Sequence, residues 1–311
     1  MRRLGFGLMT FVATMGIAAA EPPSNANAGG QSEHELAGQG ARGIHWTRGE
    51  AANHAARPSR SPNLTFHGGK IMSTVTSKAI FWGPSWANSS FTADKITGLD
   101  QWYTAHSGSN YAKTTDEYAG SNGSIGNSGF VHQGHIIDTS TAAGGGNVST
   151  ILAEVCKQVT NGSIVPDASG NGYYPVYSDV KRGNAGYCAW HSSGSCSGVP
   201  VQIAFFFNLD GDSGCDPQDT RTVHSQGLEA LVNVTGHEME EARSDPASPG
   251  AWYDGQGSEN ADKCAWTFGA PFVTFPDGSS WKIQGEWSNA AYNAGTGYAN
   301  SSGQKGCIGG Q

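Results

Sequence analysis

The segment Gly236-His237-Glu238-Met239-Glu240-Glu241 sets an imidazole and a carboxylate four residues apart, with a second carboxylate directly after the imidazole. On a helix, positions i and i+4 leave the same face one turn apart, so His237 and Glu241 can hold one metal ion between them. Glu238 is then placed to take a proton from a water beside that ion. Zinc accepts imidazole nitrogen and carboxylate oxygen, and a catalytic zinc site usually has three protein ligands. One His with two carboxylates also suits manganese or iron, whereas calcium takes more oxygens and no imidazole. The expected cofactor is one zinc ion.

The helix that must carry these residues is predicted over residues 223–243. Val223, Leu228, Leu231, Val232, Met239 and Ala242 recur at roughly helical spacing. Asp245-Pro246 ends it, because the residue before a proline is pushed out of the α region. Gly236 costs such a helix about 1 kcal/mol relative to alanine, which implies close approach of another element. The zinc-peptidase signature is H-E-x-x-H; here Glu241 stands in place of the second His. The same letters also describe a solvated acidic face with His237 as a surface or capping residue.

Four carboxylates follow the helix closely: Asp245, Asp254, Glu259 and Asp262. Glu259 is the expected third ligand. A Glu on a second segment with an Asp a turn later resembles the glutamate-ligand zinc peptidases, in which the Glu binds metal and the Asp orients a histidine ligand. Here the spacing to Asp262 is one shorter and the second His is missing. Asp245 is the alternative, since aspartate-ligand zinc peptidases also exist, and Asp254 and Asp262 stay open. His191 and His224 are the imidazole candidates. His224 lies too far up the helix axis to share an ion with Glu241, at about 1.5 Å rise per residue.

Residues 232–246 (VNVTGHEMEEARSDP) are similar to the G-H-E-x-x-E-A-x-x-D-P stretch of bacterial relatives of the plant EXORDIUM / phosphate-induced protein family. The agreement continues through Ala251-Trp252-Tyr253-Asp254, Asp262-Lys263-Cys264-Ala265-Trp266 and Gly285-Glu286-Trp287-Ser288-Asn289. Upstream, Gly186-Tyr187-Cys188-Ala189-Trp190-His191 and Gly68-Gly69-Lys70 with Ala79-Ile80-Phe81-Trp82-Gly83 resemble earlier segments of that family. The blocks run in order from Phe66 to Cys307. The resemblance implies an extracellular protein with the family's common fold. The plant members are linked to growth without a settled chemistry, and many lack the His-Glu pair that bacterial-type members keep. The resemblance also singles out His191 as a ligand, a transition-state stabiliser or a structural histidine beside a disulfide.

Residues 1–20 read as a signal peptide: Arg2 and Arg3, an apolar run, then Ala18-Ala19-Ala20 before Glu21. The apolar run is too short for a membrane span. Six cysteines in an exported chain of 311 residues imply disulfides. The expected pairs are Cys188 with Cys196, Cys264 with Cys307 and Cys156 with Cys215. A net charge of −8 without a basic stripe argues against a nucleic-acid partner.

Residues 21–65 are poor in large apolar side chains and read as a disordered linker or pro-segment. His34, His45 and His54 are scattered there without the pattern of a metal tract. Residues 66–311 form one domain. Strands are predicted over 73–82, 129–138, 173–180 and 199–209, the last central and buried on both faces. Helices are predicted over 91–106 and 148–159. His132 and His135 stand an odd number apart, so a regular strand turns them to opposite faces. A late hairpin is expected around Asp277-Gly278. The fold class is α/β, with mixed α+β layers in a single zincin-like domain built on a mixed sheet and an active-site helix.

These readings converge on a secreted or periplasmic monomer acting as a zinc metallopeptidase on a peptide or protein substrate, with a cell-wall polymer as the other substrate class. His237, Glu241 and Glu259 would bind the ion, Glu238 would be general base, and His191 and Tyr253 would assist catalysis. The alternatives are a non-catalytic EXORDIUM-like wall protein that binds carbohydrate or a partner, and a glycosidase using paired carboxylates. Trp252, Tyr253, Trp266, Trp281 and Trp287 are read as either groove lining or core.

Overall fold

The computed structural model describes residues 40–54, 61–126 and 130–310. The expected signal peptide, His34 and part of the expected linker lie outside these residues.

The chain is a mixed α/β protein. Its main sheet has six strands: β1 (Arg42–Trp46), β2 (Val75–Trp82), β3 (Phe130–Asp138), β4 (Gly172–Lys181), β5 (Tyr187–Cys196) and β6 (Val199–Asn208). Their spatial order is β1-β5-β6-β4-β2-β3. β2, β3, β4 and β6 run parallel, and β5 is antiparallel to both of its neighbours. The parallel pairs need crossovers. Helix α1 (Lys95–His106) links β2 to β3, and α2 (Val148–Thr160) links β3 to β4. Helix α3 (Gln226–Ser244) follows β6.

The apolar run of β6 is buried from Val201 to Leu209 between β5 and β4, as the sequence predicts for a central strand. Side chains of β5 alternate across the sheet. Trp190 points to one face, where its Nε1 donates to Gly145 O at 2.8 Å, and His191 points to the other. On the His191 face lies α3, its N-terminus capped by Ser225 Oγ, which accepts from Leu228 N at 3.2 Å. α3 is buried on every side, from Gly227 to Ser244. A helix buried all round must satisfy each polar side chain internally, and α3 carries five Glu or His residues between Glu229 and Glu241. Gly236 makes room for Tyr111, whose hydroxyl would stand 2.8 Å from an added Cβ. Tyr111 in turn donates to Glu286 Oε1 at 2.7 Å, so this close approach occupies the side of α3 away from His191.

Several expectations are corrected. Part of the predicted linker is a strand: Arg42–Trp46 pairs with β5 at the edge of the main sheet. His132 and His135 face the same carboxylate, bonding Asp100 at 2.9 and 2.7 Å. A bulge explains this, since His132 pairs with Ser77 and His135 with Ala79, leaving an extra residue in β3 beside Gly134 at φ +73°. The predicted helix over 91–106 is interrupted at Ala93, where φ is +44°. Two of the three expected disulfides exchange partners. Cys156 pairs with Cys196 and Cys188 with Cys215, while Cys264–Cys307 forms as expected. The Asp277-Gly278 hairpin forms between Val273–Thr274 and Ser280–Trp281. Glu286–Trp287 pairs instead with Lys305–Ile308, in a separate small sheet.

Three disulfides and no free cysteine fit an oxidising, extracellular environment. Among the described residues no helix is long and apolar enough to cross a membrane.

Candidate metal centre

Four side chains from three parts of the chain converge between α3 and β5. His237 and Glu241 come from α3, His191 from β5, and Glu259 from the loop after α3. His237 Nε2 stands 3.2 Å from Glu241 Oε2, which stands 3.8 Å from His191 Nε2, and that nitrogen is 3.4 Å from Glu259 Oε2. Donors about 2.1 Å from a zinc ion at the corners of a tetrahedron are about 3.4 Å apart. Each of these three spacings is close to such an edge, but His237 stands outside the group formed by His191, Glu241 and Glu259, so the four donors do not share one coordination sphere as they stand. Each of these four atoms is buried and lacks a hydrogen-bond partner among the described residues, as do both oxygens of Glu238. Buried polar atoms are rarely left unpaired, so six such atoms in one place fit a site for a cation. Two overlapping groups, His191 with Glu241 and Glu259 and His237 with Glu238 and Glu241, have metal-holding geometry.

Electrostatics lead to the same place. Burial raises the Glu259 pKa well above its usual range, with Asp245, Glu241 and Asp262 adding to the rise. Burial also raises Glu238, where the His237 charge opposes it, and lifts Glu241 to about 7 with Asp262 contributing. Three carboxylates this close cannot all ionise without a compensating cation. Burial lowers His191, and Arg42 adds to that fall. Burial opposes charging of His237 too, but the carboxylates of Glu241 and Asp262 outweigh it and push its pKa up. The pocket thus favours cationic charge at its centre.

The surrounding residues orient these side chains. Asp262 N donates to Glu241 Oε1 at 2.9 Å, which leaves Oε2 for the site. Asp262 Oδ2 accepts from Glu259 N at 3.0 Å and so holds the Glu259 backbone. Gln284 controls the His237 ring. Its Nε2 donates to Ala261 O and its Oε1 accepts from Trp266 N, both at 3.1 Å, so two backbone groups set the amide orientation. The same Nε2 faces His237 Nδ1 at 3.0 Å and offers it a proton. A neutral ring accepting at Nδ1 carries its own proton on Nε2. A metal at Nε2 needs the opposite tautomer, with Nδ1–H donated to an oxygen. A half-turn of the Gln284 amide supplies that oxygen and breaks both backbone bonds.

The structure brings His191, His237, Glu238, Glu241 and Glu259 together and places other candidates elsewhere. Asp245 is buried against Arg42 Nη1 at 2.8 Å and accepts from Ala251 N. Asp254 pairs with Lys263 at 2.7 Å. His224 stacks on Trp281, with ring centroids 4.4 Å apart. Tyr253 stacks on His67 at 3.6 Å and lines a cleft of about 760 Å³ beside the site. Trp281 and Trp287 are core, whereas Trp266 lines the cleft. Sequence reasoning missed His45 and Gln284. His45 is fully buried, its ring centroid 4.2 Å from that of His237, and its Nε2 is 3.0 Å from Gln284 Oε1. An isolated His in a polar segment and an isolated Gln carry no local signal.

No protein-family model matches the chain, and no curated protein or solved structure matches it.

Proposed function

We propose that this protein is an exported metal-dependent hydrolase, a zinc metallopeptidase with His237, Glu241, Glu259 and His191 as ligands and Glu238 as general base. The observation that carries this reading is a run of unpartnered donors with neighbouring spacings of 3.2–3.8 Å, in two overlapping groups that share Glu241, beside the Glu238 carboxylate. A bound zinc ion would polarise a carbonyl and lower the pKa of a neighbouring water to about 7. Glu238 would accept that water's proton and return it to the leaving group. His191, expected as a candidate ligand or assistant, is assigned a ligand's role in this proposal because it groups with Glu241 and Glu259. An active-site helix against a mixed sheet supports the zincin-like reading. The EXORDIUM-like resemblance belongs to the same proposal, since the blocks that carry it supply His191, His237, Glu238, Glu241 and Asp262.

One observation favours a second reading. Four protein ligands in a closed pocket are the pattern of a structural metal, and here Glu259 is 3 % exposed and the other three ligands are fully buried. A non-catalytic wall or binding protein with a structural ion would look the same, apart from Glu238.

Metal analysis of the purified protein tests the shared premise. Near-stoichiometric zinc is expected, lost in His237→Ala, His191→Ala and Glu241→Ala. Protein that stays metal-free after zinc is supplied would remove both readings. Gln284 offers a finer test. Gln284→Glu presents only acceptors to His237 Nδ1, so it is expected to bind zinc about 10–100-fold more tightly than Gln284→Leu, measured by competition with a chromophoric chelator.

A further inference from the structure

The buried ligands pose a problem for a hydrolase. The cleft reaches Glu259 and Asp262 but not His191, His237, Glu238 or Glu241. Residues 41–44 line that cleft and stand between it and the site. We infer that the site's binding groove takes an extended peptide strand laid antiparallel along β5, and that Arg42–Trp46 of the same chain occupies it. This rests on the metallohydrolase reading and names the substrate class and the built-in inhibitor for that site.

Three features of β1 support occupancy. First, β1 is the edge strand, and without it the backbone of β5, which carries His191, is open for pairing along that side. Second, the pairing is irregular at the site. Arg42 faces His191 and His45 faces Ala189, so β1 spends one residue more than β5 there, and the shift reverses between His45 and Trp46. This bulge carries Gly43 towards the ligands. A Cβ on Gly43 would stand 1.8 Å from Glu241 Oε2 and 2.6 Å from the His191 ring, and its φ is +44°. Only glycine fits, so the backbone at Gly43 lies where a substrate backbone must pass to reach the ion. Third, polar contacts beside the bulge position the strand. Arg42 Nη1 bonds Asp245 Oδ2 at 2.8 Å, and His45 Nε2 lies 3.0 Å from Gln284 Oε1. A peptide using the same groove would carry a small residue over the ion and a cationic side chain before it, facing Asp245.

The test places a cleavage site for a sequence-specific protease in the full chain, replacing residues 55–60. After cutting, a labelled N-terminal segment is expected to exchange with excess synthetic peptide of residues 40–54 while the protein still melts cooperatively. The same peptide with Gly43→Val is expected to compete at least 100-fold more weakly. Zinc transfer to a chromophoric chelator should be at least tenfold faster from the cut, segment-free protein than from the intact one. In the intact chain, Arg42→Ala should speed transfer several-fold with little change in Tm. The proposal is overturned if release of the segment unfolds the protein, making β1 an integral strand, or if zinc transfer is unchanged. Zinc absent from both forms would instead end the metallohydrolase reading, and the peptide competition would still decide whether the groove takes a strand.

Discussion

Glu238→Gln is expected to leave zinc bound and to reduce peptide hydrolysis by about 10²–10⁴-fold, the usual contribution of a positioned general base. Glu238 sits on the same helix as His237 and is fully buried, and neither oxygen has a side-chain hydrogen-bond partner, the backbone of His45 alone favouring its charged form. A buried carboxylate with so little compensation is costly to keep. Gln keeps the shape and removes the basic oxygen, so a purely structural role predicts little change or a gain in stability. The measurement is cleavage of a peptide library, read by mass spectrometry, for the intact and strand-released proteins at equal zinc content. Equal rates for Glu238→Gln and the wild type would remove the general-base role and favour the structural-metal reading.

The central helix was legible because its signals are local. The spacing of His237 and Glu241 and the Asp245-Pro246 stop lie within one short segment, whereas the start falls at Gln226 rather than the expected Val223. Glu259 was reachable for a related reason, since it follows the helix closely in sequence. His191 was harder. Its place at the site depends on β5 pairing with β6, so that residue 191 lies beside Ala204 and faces α3, and no local spacing separates it from His224 as an imidazole candidate. β1 was missed because its evidence is almost entirely non-local. Arg42–Trp46 contains few large apolar residues and gains stability from a neighbour more than 140 residues away in sequence. The disulfide exchange has the same origin. Cys196 ends β5, and only the packing of α2 against that strand brings Cys156 to it. His132 and His135 show a different failure. Strand alternation is sound physics, but one bulged residue reverses its result.

Glu240→Ala is expected to destabilise the fold by about 3–5 kcal/mol, the cost of leaving one member of a buried ion pair alone. Glu240 follows the metal-site face of α3 but points away from it. Its Oε2 accepts from Arg243 Nη1 at 2.7 Å and from Thr115 Oγ1 at 2.8 Å, and its Oε1 is 2.6 Å from His106 Nε2. Arg243 also donates to Ala112 O at 2.7 Å, which ties α3 to the segment after α1. Burial raises the Glu240 pKa, but Arg243 and His106 outweigh it, and the carboxyl stays below its usual range. Burial keeps His106 down, with Glu240 opposing, so a charged Glu240 with a neutral His106 is the favoured state. The sign follows from this lowered value. The network's stability is fully present above the ordinary Glu range and is lost as pH falls through the depressed folded value. The gap between wild type and Glu240→Ala should therefore be full at neutral pH and shrink in acid. Arg243→Ala should be similarly costly. The double variant should lose much less than the sum, because neither partner is then stranded. Urea unfolding across pH measures all of this. Zinc content of the folded Glu240→Ala protein should match the wild type, since the network's hydrogen bonds run to His106, Thr115, Arg243 and Ala112 and to none of the proposed ligands. If zinc falls in proportion to stability, the helix position rather than the ligand set controls binding, and Glu240 becomes part of how the site is held.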